Sequence, residues 1–263
     1  MKKFSWILCI LLLLVFVFSL SACTYYLNDP YGTHYKYKGM TFWFVPHEDE
    51  NVKDYYYMAG RINDKTSRNY FIPMEINGYP VREFGYSKLF NTTAGSTNLK
   101  YYLFLQKLYM PGTIVGPGDG EEYLYYVHQQ MQVYYCGEVT DMYYISPYTD
   151  KIDYYVPADR IDEFENALGT ISTLKPACGL YKANIAYRLN SEDMCEYYYV
   201  DNIEAGSKIE NIPPEPTRAG YKFGGWYTEK ECTNKWNFDN APTVSSNDDT
   251  FVEFALYAKW IKK

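Results

Sequence analysis

Hydrophobic positions in this chain gather in short aromatic and β-branched runs, not in long helical stripes. Met40-Thr41-Phe42-Trp43-Phe44-Val45 and Tyr55 to Ala59 flank the charged loop His47 to Asp54 and predict a hairpin. Further short apolar runs fall at Tyr70-Phe71-Ile72, Leu108-Tyr109-Met110, Met142-Tyr143-Tyr144-Ile145 and Ile152-Asp153-Tyr154-Tyr155-Val156. Several stop at a proline (Pro73, Pro111, Pro157), and their irregular recurrence is what a solenoid of stacked turns would show. The clearest helical period lies at 158–169, where Ile161, Phe164 and Leu168 share a face. Asp159 is its expected cap, Asp162 sits in the favourable N-terminal dipole, and Gly169 stops it. Near the C-terminus the alternation of Val252, Phe254, Leu256, Ala258 and Trp260 predicts a half-buried strand. Gly224-Gly225 permits a bulge just before Trp226, which makes Trp226 the expected centre of a small core.

A different pattern opens the chain. Lys2 and Lys3 precede an apolar run from Trp6 to Phe18, which leads into Leu20-Ser21-Ala22-Cys23. The run is at the short end for crossing about 30 Å of hydrocarbon, and basic residues flank only its start. This arrangement resembles the lipobox of bacterial lipoproteins. The resemblance implies a signal peptide over 1–22, a Cys23 that receives a diacylglyceryl (palmitate-type) anchor and becomes the first mature residue, and a tether over 23–37. The tether is polar and turn-rich, with Asn28-Asp29-Pro30 and Gly32.

Charge narrows the partners. The net charge is −7, and loss of Lys2 and Lys3 makes the mature chain more acidic still. Without a basic cluster it is a poor fit to nucleic acid, and anionic headgroups would repel it, so acyl chains on Cys23 must hold it to the bilayer. Tyrosine is abundant, 32 of 263 residues, often in doublets whose members face opposite sides of a strand. Ordinary strand filling accounts for most of them, whereas an exposed row would form a binding face, for which Tyr143, Tyr144, Tyr154 and Tyr155 are the candidates. Catalytic and metal-binding patterns do not stand out. His34, His47 and His128 lack partners at ligand spacing, Asp119-Gly120-Glu121-Glu122 lacks the regular positions of a calcium loop, and neither a Gly-x-Ser-x-Gly elbow nor a P-loop occurs. No cofactor, metal or enzymatic turnover is expected. Cys136, Cys178, Cys195 and Cys232 allow three disulfide pairings among which spacing does not choose, and half-buried free thiols are the favoured reading.

Two segments carry resemblances. Ile72-Pro73-Met74-Glu75-Ile76-Asn77-Gly78-Tyr79-Pro80-Val81, Leu108-Tyr109-Met110-Pro111 and Tyr155-Val156-Pro157-Ala158-Asp159 resemble the BspA-like leucine-rich repeat family of bacterial surface proteins. Pro214-Glu215-Pro216-Thr217-Arg218-Ala219-Gly220-Tyr221-Lys222-Phe223-Gly224-Gly225-Trp226-Tyr227, Trp236-Asn237-Phe238 and Leu256-Tyr257-Ala258-Lys259-Trp260 resemble the internalin B-type, or Listeria–Bacteroides, repeat. Together they imply a mainly β chain with few helices: a short irregular leucine-rich-repeat-like solenoid over 38–172, a linker over 173–182 and a small β-grasp-like module over 183–263. The expected core of that module is Tyr221, Phe223, Trp226, Trp236, Phe238 and Trp260. The expected function is that of a lipid-anchored protein on the extracellular face of the bacterial membrane that binds a surface protein or glycan. The alternative is a purely structural spacer or scaffold lipoprotein of the envelope.

Overall fold

The computed structural model describes residues 34–37, 40–45, 56–62, 68–84, 105–115, 130–139, 152–169, 179–245 and 250–263. Cys23 with the signal segment, the loops 47–54 and 119–122, the run 142–145 and residues 173–178 of the expected linker lie outside them. The described chain is mainly β with few helices.

The first sheet has the order β1-β2-β3-β7. The predicted hairpin is β2 (Met40–Val45) against β3 (Tyr56–Ile62). Residues 34–37, expected as the end of the tether, instead form β1 (His34–Tyr37), antiparallel to β2. The pattern Tyr35, Tyr37 at a spacing of two places both rings against the core on one side of this strand. β7 (Glu83–Phe84) adds parallel to β3. Between them, β5 (Glu75–Ile76) and β6 (Tyr79–Pro80) form a two-residue hairpin. Asn77 and Gly78 turn it with φ of 52° and 84°, the positive values that such tight turns require.

The second sheet is wholly parallel, with order β11-β10-β9-β8-β4. Its strands are β4 (Asn69–Phe71), β8 (Lys107–Met110), β9 (Met131–Tyr135), β10 (Ile152–Val156) and β11 (Gly179–Lys182). Two of them depart from the sequence reading. β9 ends at Cys136-Gly137 without a proline; Gly137 is needed because a Cβ there would lie 2.4 Å from the Ile114 carbonyl oxygen. β11 occupies the last four residues of the expected linker. Gly179 does not break the chain there but pairs with Asp153, while Leu180 packs on the core.

The third sheet, order β13-β12-β15-β14, comprises β12 (Ile185–Arg188), β13 (Tyr197–Asp201), β14 (Tyr221–Tyr227) and β15 (Phe254–Lys262). Its central pair is parallel and its outer pairs are antiparallel. The bulge expected at Gly224-Gly225 is present between Phe223 and Trp226, with Gly225 at φ 113°. The alternation predicted for the last strand holds for Phe254, Leu256, Ala258 and Trp260. Val252 precedes the strand, is exposed and bridges Ser245.

A 3-10 turn, Ala158–Arg160, leads into helix α1 (Ile161–Gly169), and Ile161 and Phe164 bury against the parallel sheet. Asp159 does not cap the helix. Its carboxylate accepts from the Tyr197 hydroxyl and pairs with Arg188 at 3.2 Å. Arg188 also meets Glu196 and Glu253, and stacks over the Tyr197 ring at 4.6 Å.

Two apolar cores result, one on each face of the parallel sheet. The first gathers Leu108, Met110, Val133, Tyr135, Ile152, Tyr154 and Val156 with Phe42, Ile72, Ile114 and α1. The second gathers Tyr109, Tyr134 and Cys136 with Tyr187, Tyr199, Val200, Trp226 and Leu256 of the third sheet. Parallel strands are normally covered on both faces, and here the C-terminal sheet is the second cover. Because this core joins Tyr109 and Tyr134 of the parallel sheet to Tyr187, Trp226 and Leu256 of the C-terminal sheet, Trp226→Ala should cost about 3–5 kcal/mol and lower one cooperative melting transition. Differential scanning calorimetry checks this; two separated transitions, only one of them shifted, would contradict a shared core.

Candidate functional site

Parallel, in-register pairing sets the same side chain position of each strand beside its neighbour. The register couples Phe71 with Tyr109, Tyr109 with Tyr134, Tyr134 with Tyr155 and Tyr155 with Tyr181. The five rings form a ladder with centroid spacings of 4.1, 4.6, 5.0 and 5.3 Å and interplanar angles of 12°, 11°, 18° and 29°. Stacked aromatics gain about 0.5–1.5 kcal/mol per pair beyond burial. The ladder starts beneath the C-terminal sheet, where Phe71 meets the edge of Tyr199 at 5.0 Å. It ends in solvent: Tyr155 is half-buried and Tyr181 is 47% exposed.

Beneath the covered end lies a polar cluster around Asp201, whose side chain is 1% exposed. The Tyr109 hydroxyl donates to Oδ1 at 3.1 Å, the Asn202 N–H donates at 2.8 Å, and the Lys107 ammonium stands 3.6 Å away. Its Oδ2 and the nearby buried Tyr187 hydroxyl have no hydrogen-bond partner. Burial raises the Asp201 carboxyl above its ordinary value, against the pull of Lys107. Burial and the adjacent Asp201 likewise push the Tyr109 and Tyr134 phenols upward. These hydroxyls therefore stay protonated near neutrality and serve as hydrogen-bond donors. The thiols are also held in reserve by burial, which pushes Cys195 up to about 11 and raises Cys136 and Cys232. Thiols in that state are poor nucleophiles. All three are free. Among the described residues, no group of three or more His, Cys, Asp and Glu side chains could hold a metal ion.

A cleft of about 250 Å³ opens between the first sheet, the β5–β6 hairpin and the C-terminal module. Tyr35 and Tyr37 of β1 form one wall, Pro73 to Asn77 another, and Tyr198 with Pro214, Glu215 and Thr217 the third. The proline-rich segment after β13 has no repeating hydrogen-bond pattern of its own. It is pinned from outside by Thr217, whose hydroxyl donates to Glu75, and by the Asn69 amide on Asn211 at 2.6 Å. Among the described residues the lining holds two carboxylates and no lysine or arginine.

Of the residues expected to form a binding face, Tyr143 and Tyr144 lie outside the described residues. Tyr154 is 1% exposed in the first core, so it offers no surface. Tyr155 belongs to the ladder. Tyr181, its exposed neighbour, falls within the expected linker over 173–182; the tyrosine recurring at the same position of β8, β9 and β10 is the signal that points to it. In the C-terminal module Trp226 is buried and meets the Phe223 ring at 5.2 Å, and Phe223, Trp236, Phe238 and Trp260 pack against the same core. The Trp260 indole N–H donates to the Leu189 carbonyl at 2.6 Å. Tyr221 lies apart from that cluster, with the Arg218 guanidinium 3.9 Å from its ring centroid.

The Asp201 shift has a sign. A carboxyl raised above its unfolded value of 3.8 leaves the native state holding more protons than the unfolded chain, so stability falls as pH rises from 3.8 through the folded value. Asp201→Asn should remove that fall, and denaturant titrations of both proteins at several pH values from 4 to 7 measure it. Parallel curves would rule out a raised Asp201.

Residues 184–259 match the family model of the Listeria–Bacteroides repeat domain. The matched stretch runs from the residue before β12 into β15, so the C-terminal sheet that covers the aromatic ladder is the part of the chain similar to this repeat.

Proposed function

We propose that the mature chain is a lipoprotein acylated at Cys23 on the extracellular face of the bacterial membrane, and that it binds a surface protein or glycan without turnover. The observation that carries the binding half is the course of the ladder, which is anchored in a core at one end and presents Tyr181 to solvent at the other. A flat ring with one face already stacked is rigid, so a partner that stacks on it loses little side-chain entropy. The lipobox and the match to a surface repeat support the location. We also read the strands β4, β8, β9, β10 and β11 as turns of a short leucine-rich-repeat-like solenoid, and the C-terminal module as β-grasp-like. The consecutive order and uniform parallel pairing of those strands support the former.

A second reading, a structural spacer or scaffold, draws support from the many tyrosines spent on packing. Tyr70, Tyr109, Tyr134, Tyr135, Tyr154, Tyr187 and Tyr199 are all buried. Tyr181→Ser separates the readings. It should cost at most about 1.5 kcal/mol of stability, the value of one stacked pair, yet weaken attachment of the mature protein to glycan arrays or matrix proteins. Unchanged attachment favours the spacer, and hydrolysis of an offered glycan would contradict both.

For the anchor, Cys23→Ala should abolish labelling by a fatty-acid analogue in growing cells and leave unprocessed precursor. Persistent labelling would remove Cys23 from its role.

A further inference from the structure

We propose that the cleft between β1, the β5–β6 hairpin and the proline-rich segment takes the side chain of a lysine presented by a protein partner. The proposal rests on the binding function above and names the chemistry of its partner. The cleft holds about 250 Å³, which is below the usual size of a small-molecule pocket and suits one side chain better than a run of sugar rings. Its composition is graded. Pro73, Met74, Ile76 and Pro214 give apolar surface for a four-carbon stem, whereas Glu75 and Glu215 give negative charge for its head. Among the described residues no lysine or arginine lines the cleft, and neither glutamate takes part in an ion pair.

Lysine fits better than arginine. Glu75 already accepts the Thr217 hydroxyl on Oε1, which leaves Oε2 as its one unengaged oxygen, a better match to a compact ammonium than to the planar fork of a guanidinium. A compact ammonium needs only one oxygen from each carboxylate. A glycan fits less well, because sugar hydroxyls need a dense set of donors and acceptors, and the Thr217 hydroxyl is already committed. The net charge of −7 would draw a basic partner toward the surface before contact.

The test uses the mature chain, ¹⁵N-labelled and lacking only residues 1–23, titrated with the peptide acetyl-Gly-Lys-Gly-amide. Amide shifts should concentrate at Tyr35, Tyr37 and Thr217. They should vanish when the lysine is Nε-acetylated. In Glu75→Gln/Glu215→Gln, where the amide still accepts from Thr217, affinity should drop about tenfold with the melting temperature unchanged. Absence of cleft shifts, equal binding of the acetylated peptide, or a glucosamine oligomer bound there while the lysine peptide is silent would overturn the proposal. Attachment that still depends on Tyr181 would then leave the broader binding function standing, so the two failures are distinguishable.

Discussion

A five-stranded parallel sheet with an aromatic ladder on one face has to be covered on both sides, and the rest of the molecule follows from that requirement. On one side, α1 and the first sheet bury Val133, Ile152, Tyr154 and Val156. On the other, Tyr109 and Tyr134, whose ring faces are stacked within the ladder, would expose their edges and hydroxyls to water without the C-terminal sheet. At about 25 cal/mol per Å² of apolar surface, two such rings represent several kcal/mol, a sizeable share of a domain's net stability. The repeat module therefore completes the core of the chain before it.

Polar contacts fix how that cover sits. β13 lies against β8, β9 and β10, and its Tyr199 hydroxyl donates to the Ile72 carbonyl while Asp201 receives Tyr109 and Lys107. At the opposite edge, Arg188 draws together Asp159 from the turn before α1, Glu196 and Glu253. Glu196 and Asp159 are well exposed, so these pairs add little energy by themselves. Their geometry matters more, because three acids around one guanidinium permit few relative orientations. Asn184 acts within the C-terminal module itself. Fully buried, it accepts from Ile203 N–H at 3.0 Å and donates to the Ile203 carbonyl at 2.8 Å, holding the chain as it leaves β13.

Local patterns were legible in the sequence where one segment carries its own signal. The hairpin of β2 and β3, the buried face of α1 and the bulge before Trp226 each depend on residues close together in the chain. Elements defined by pairing were not. β9 carries no proline stop, and β11 is four residues beginning with glycine; both are strands because neighbours of the right register exist on the sheet. The Asp159 cap failed for a related reason, since a distant arginine and tyrosine compete for the carboxylate and win. The ladder sits between these cases. Its tyrosines are visible in the sequence, but which member of each doublet faces the C-terminal sheet is set by register, and that choice buries Tyr154 while leaving Tyr155 half-open.

The cleft illustrates the same limit more sharply. Its walls come from Tyr35 and Tyr37, from 73–77, from Tyr198 and from 214–217, segments that only the docking of the C-terminal sheet brings together. A protein built as independent modules on a flexible linker would have no such cleft, because its walls belong to both halves. The shared core thus bears on the proposed binding: the cleft is created by the packing of the C-terminal sheet and is not carried by that sheet alone. The stability of this junction sets how well the cleft is preorganised for the occupant proposed for it.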